Sequence, residues 1–226
     1  MKTLFTALVL AATLPACIIV VSDDGLDTWN GRALSSTPTR TEVRATADFH
    51  ALELHGSGRV EVRVGEAQSV VVTAEEALLP FLKTEVRDGT LVLDRAPGAP
   101  STRRTVQYTV TVPKLDAAAL LGSGDVRVSN AQGPSFRAAI SGSGNLSASG
   151  SADELVVELD GSGDAHLSQL AAKNAKVRLA GSGDVHVAPI EALDVQLTGS
   201  GDVHYRGSPR VVQSVHGSGD VRRDAH

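Results

Sequence analysis

One five-residue phrase returns along the chain: Gly56-Ser57-Gly58-Arg59-Val60, Gly122-Ser123-Gly124-Asp125-Val126, Gly142-Ser143-Gly144-Asn145-Leu146, Gly161-Ser162-Gly163-Asp164-Ala165, Gly181-Ser182-Gly183-Asp184-Val185, Gly199-Ser200-Gly201-Asp202-Val203 and Gly217-Ser218-Gly219-Asp220-Val221. The last six copies open at intervals of 20, 19, 20, 18 and 18 residues. A near-constant period that tolerates a residue more or less marks stacked solenoid turns, because each turn buries its apolar side only against its neighbours.

Aligning the copies on their first glycine shows which way each side chain points. Two residues before it stand Leu54, Leu120, Ile140, Leu159, Leu179, Leu197 and Val215. Four before it stand Leu52, Ala118, Ala138, Val157, Val177, Val195 and Gln213, and beyond the phrase the apolar series continues through Val128, Ala148, Leu167, Val187 and Tyr205. A period of two on both sides of the glycines predicts two inward-facing strands per turn, joined at Gly-Ser-Gly. Roughly four inward side chains per turn, each worth about 1.5–3 kcal/mol when buried, drive the stacking. Glycine on either side of serine suits a sharp corner with positive φ and no room for a Cβ. The corner set is Gly122, Gly124, Gly142, Gly144, Gly161, Gly163, Gly181, Gly183, Gly199, Gly201, Gly217 and Gly219. The expected fold is all-β, a parallel β-helix or flattened roll of about six short turns over residues 115–226.

Residues 43–114 read as an irregular β-rich part that caps this stack. Alternation is clear in Ala51 to His55, Val60 to Val64 and Val106 to Val112, and Val70 to Thr73 adds a further strand. Thr84 to Arg87 and Thr90 to Leu93 form a hairpin turning at Asp88-Gly89, a pair suited to two central residues with positive φ.

The first 17 residues read as a targeting segment, with Lys2, a short apolar run from Leu4 to Leu14, and then Leu14-Pro15-Ala16-Cys17. That tetrapeptide resembles a bacterial lipobox, in which Ala16 precedes the cut and Cys17, the only cysteine, is the lipidated residue. Ile18 after the cysteine, in place of Asp, resembles an outer-membrane sorting signal. Residues 18–42 turn polar and lose both periodicities, as a tether would. The expectation is an exported protein attached to the membrane through a lipid anchor. A net charge of -5 gives no electrostatic reason to expect nucleic acid.

The recurrent Gly-Ser-Gly-Asp-Val, the early Asp88-Gly89-Thr90-Leu91 and the lead-in Val110-Thr111-Val112-Pro113 together resemble the auto-transporter adhesin head, or GIN, domain over about Val43 to Arg222. The resemblance implies a β-helical, secreted or surface-anchored bacterial protein with no established activity. It favours an adhesive or structural role, with an envelope protein or glycan as partner.

The chemistry-bearing residues fall into two outward columns. Asp125, Asn145, Asp164, Asp184, Asp202 and Asp220 share one position, and Arg127, Ser147, His166, His186, His204 and Arg222 stand two residues on, on the same face. Carboxylates at the inter-strand spacing repel by about 0.9 kcal/mol per pair even at the dielectric of bulk water. The leading expectation is architectural: a protonatable column offsets an acidic one, raising the histidine pKa values, while Asp side chains accept corner amides. A metal ladder of His186 and His204 with Asp184 or Asp202 is the sharper alternative. Calcium of the repeats-in-toxin kind fits worse, since Gly183 and Asp184 are adjacent. A carbohydrate-active lyase or hydrolase is the enzymatic alternative, but a repeating column singles out no carboxylate pair. No catalytic residue and no cofactor is expected.

Overall fold

The computed structural model describes residues 38–224 together with the backbone of β1 (Thr28–Trp29) and β2 (Arg32–Ala33), which pair antiparallel. The targeting segment, Cys17 and most of the expected tether lie outside the described residues. There is no α-helix among the described residues; a single 3-10 turn spans Leu79–Phe81.

The N-terminal part contains β3 (Thr39–Arg44), β4 (Ala51–Gly56), β5 (Arg59–Val64), β6 (Ser69–Glu75), β7 (Leu82–Arg87), β8 (Thr90–Arg95) and β9 (Gln107–Val112). The solenoid follows as β10 (Ala117–Gly122), β11 (Asp125–Gly142), β12 (Asn145–Gly161), β13 (Asp164–Gly181), β14 (Val185–Gly199), β15 (Val203–Tyr205), β16 (Arg210–Gly217) and β17 (Val221–Arg223). The main sheet begins at Thr39, ahead of Val43, because β3 lies antiparallel along β6 from Thr39 opposite Glu75 to Arg44 opposite Val70.

Two faces grow from the capping part and meet at the Gly-Ser-Gly corners. On the face before the corners, β7 pairs antiparallel with β8, and β8, β4, β10 and the second half of β11 then run parallel. On the face after the corners, β3, β6 and β9 pair antiparallel, then β9, β5 and the first half of β11 run parallel. The antiparallel strands thus end a parallel stack, closing it with a different pairing geometry. The hairpin turns at Asp88 (φ 50) and Gly89 (φ 74), as the sequence predicts.

The turns differ from two plain strands in one respect. A third, short ladder aligns Gln132 with Ser151 and Ser151 with Ala171, and Ala152 with Ala172 and Ala172 with Pro189. It follows a register shift between Val128 and Ala131, where Asn130 takes φ 61. Its inward residues Ala131, Leu170 and Ala172 are buried. Between the faces one continuous, mostly aliphatic core runs from Phe49 to Val203, with Leu120, Leu146, Leu179 and Leu197 fully enclosed.

At each corner the Ser N–H donates to the first-glycine carbonyl of the turn before, as from Ser182 to Gly161 at 2.8 Å and from Ser200 to Gly181 at 2.9 Å. From Gly122 onward only the first glycine needs the left-handed region, with φ +135 at Gly181. The second does not, contrary to the expectation that both would. It is glycine for space, since a Cβ on Gly183 would collide with the carbonyl oxygen of Gly163.

Candidate functional site

The face after the corners carries both predicted columns, in register. Arg59 aligns with Asp125, Asp125 with Asn145 and Asn145 with Asp164. Ser147 aligns with His166, His166 with His186, His186 with His204 and His204 with Arg222.

The Asp column is engaged with main chain. Asp164 Oδ1 accepts the N–H of Asp184 at 2.9 Å, Asp184 Oδ1 that of Asp202 at 2.9 Å, and Asp202 Oδ1 that of Asp220 at 2.8 Å. In the earlier turns the equivalent amide, that of Asn145, goes to the Gly124 carbonyl at 3.1 Å. The carboxylates therefore do accept corner amides, but from the next turn and not from their own. A hydrogen bond to a charged acceptor is about twice as strong as a neutral one, which offsets the repulsion along the column. Arginines brace its ends, with Arg59 3.7 Å from Asp125 and Arg222 3.7 Å from Asp202.

The histidines do not neutralise that column. Their rings stack on one another, His166 on His186 at 5.3 Å and 25° and His186 on His204 at 4.8 Å and 15°. Burial, then the neighbouring His204 and His166 rings, push the His186 pKa below the ordinary 6.5; Asp224 and Asp184 pull the other way and are outweighed. For His186 the predicted rise is thus reversed, because burial first and the stacked imidazoles second outweigh the nearby carboxylates. Among the described residues, the only column histidine within ion-pair reach of a carboxylate is His204, whose Nδ1 lies 2.9 Å from Asp224 Oδ1. Asp224 lies outside the aspartate column and carries no repeat signal; only its place four residues after Asp220, on the same strand face, could have marked it.

Where the columns lose their regularity, a shallow groove of about 390 Å³ opens between Arg59, Glu61, Asp125, Arg127, Asn145, Ser147 and His166. Asn145 Nδ2 donates to Asp125 Oδ1 at 3.2 Å across its floor. Arg59 and Arg127 are exposed there, so the groove offers cationic donors beside acceptors on paired strands.

The chain belongs to the family described as "Putative auto-transporter adhesin, head GIN domain", which matches residues 48–209. Its fold is similar to that of a putative adhesin from Bacteroides fragilis NCTC 9343, with a TM-score of 0.63 and 18% identity over 84% of this chain and 98% of that one. A putative adhesin from Parabacteroides merdae ATCC 43184 is also similar, with a TM-score of 0.54 and 16% identity over 83% of this chain and 96% of that one. No curated protein matches the chain.

Proposed function

We propose that this chain is a non-catalytic, lipid-anchored protein of the bacterial cell envelope that presents its β-solenoid as an adhesive head, holding a glycan or an envelope protein. The observation that carries the reading is the polar groove between Arg59, Glu61, Asp125, Arg127, Asn145, Ser147 and His166, the place where the repeat pattern breaks on an otherwise regular face. Polar groups held on packed strands bind without the cost of ordering them first. The family and the two adhesins of similar fold support the same direction. Engagement of Asp164, Asp184 and Asp202 in amide capping supports a structural over a catalytic role for the column.

The anchor rests on Leu14-Pro15-Ala16-Cys17. Two or more acyl chains hold a protein at a membrane where one does not. Cys17→Ser is expected to abolish lipid labelling and leave a soluble or uncleaved chain; a variant still processed as a lipoprotein contradicts it.

The groove is tested with the full chain in detergent, wild type against Arg127→Ala/Asn145→Ala, by capture from envelope fractions and by a glycan array. Capture by the wild type that the double variant loses, at an unchanged melting temperature, is the expected result. Equal capture by both, or depolymerisation of an envelope polysaccharide by the wild type, contradicts the reading.

A further inference from the structure

We propose that His186, His204 and Asp224 form a binding site for a borderline divalent cation of the zinc type. One donor atom from each lies within 4.8 Å of the others, and among the described residues no other cluster of three His, Cys, Asp or Glu side chains is so close. Two imidazoles and a carboxylate are a donor set that zinc takes readily, with solvent completing the tetrahedron. Two donors bound to one zinc at a tetrahedral angle stand about 3.4 Å apart. The His204 Nδ1 and Asp224 Oδ1 pair, at 2.9 Å, needs to open slightly, and the wider separations, all within 4.8 Å, adjust by rotation about side-chain bonds.

The geometry selects Asp224 over the column aspartates. Asp184 and Asp202 direct their Oδ1 atoms at the amides of Asp202 and Asp220, and Arg222 pairs with both Asp202 and Asp220. Asp224 has neither engagement; its side-chain partner is His204 itself. His204 and Asp224 are 23% and 30% exposed, so the donors are partly shielded yet open to an entering ion.

The three donors come from three successive rungs: β14, β15 and the residue that follows β17. The apolar core thins there, with Val212 54% and Val215 38% exposed on β16. A cation bridging the rungs would bind the end of the stack together where side-chain burial contributes least.

The experiment uses the full chain without a polyhistidine tag, equilibrated with zinc chloride after EDTA treatment and dialysis. Zinc content, the visible absorption of a cobalt-substituted sample and amide hydrogen exchange are compared with those of His186→Ala, His204→Ala, Asp224→Asn and His216→Ala. The expected result is a single equivalent of zinc per chain, a tetrahedral cobalt spectrum and slower exchange in β15 and β17. Either alanine variant at 186 or 204 abolishes all three, Asp224→Asn weakens binding, and His216→Ala changes nothing. An absence of stoichiometric zinc, binding that survives the 186 or 204 substitutions, or binding indifferent to Asp224→Asn overturns the assignment. Since no partner is involved, failure of the adhesion reading leaves this result unaffected.

Discussion

The backbone N–H of Asp202 donates to the side chain of Asp184 one turn below, at 2.9 Å, and the same contact joins Asp184 to Asp164. Where the aspartate ties one turn to the next, as at Asp164, Asp184 and Asp202, it is part of the scaffold. The informative positions on this face are then those where it is replaced, as by Asn145 at the groove.

Two glycine substitutions should differ sharply in their effect on stability. Gly183→Ala places a methyl against the Gly163 carbonyl and forces the turns apart, at a cost of about 3 kcal/mol, the upper end for overpacking. Gly133 has no left-handed φ, and its nearest neighbour to an added Cβ is the Ser135 carbonyl at 3.8 Å. Gly133→Ala should therefore be neutral or stabilise by about 0.4–1 kcal/mol through the unfolded chain. Urea midpoints check both; equal effects at the two sites contradict the stacked-corner account.

The His186 pKa is depressed in the folded chain, so the unfolded chain takes up the proton first as pH falls. The stability associated with a neutral His186 is present above the unfolded value of 6.5 and is lost as pH drops toward the lower folded value. Thermal melts in EDTA should show a decline below about pH 6.5 that is smaller in His186→Gln. A decline on raising the pH through neutrality, removed by the same substitution, would restore the ion-paired column expected from sequence.

Glu75 is buried and accepts the N–H groups of Arg103 at 2.9 Å and Arg104 at 3.1 Å, and the first of these bonds holds its pKa below the ordinary carboxylate value. Its contribution is present above the unfolded pKa and lost as pH falls through the folded one. Denaturant midpoints of wild type and Glu75→Gln should differ at neutral pH and converge in acid. A constant gap across that range contradicts the assignment.

Much of this fold is legible because the repeat aligns every turn on the same glycines. Leu54, Leu120, Ile140 and Leu159 could be assigned inward together, and all four are buried. The third ladder is not legible in the sequence because Ala131, Gly150 and Leu170 share neither a residue type nor a fixed distance from the glycines, the register shifting between Val128 and Ala131 and between Ser147 and Ser149. The start of the main sheet at Thr39 falls in a polar stretch whose partner, β6, lies a loop and two strands further on. The His186 shift depends on ring-to-ring spacing, which column alignment alone does not convey. Asp224 joins His204 only through the geometry of the last rungs.

The central claim, that the repeated aspartates are structural acceptors, is tested most directly by comparing Asp184→Asn with Asp184→Ala. Asparagine keeps a side-chain oxygen for the Asp202 amide and removes a charge from the column, so its unfolding free energy in urea should stay within about 0.5 kcal/mol of wild type, while alanine should cost about 1.5–3 kcal/mol. A loss as large for asparagine as for alanine, or none for either, would contradict the account.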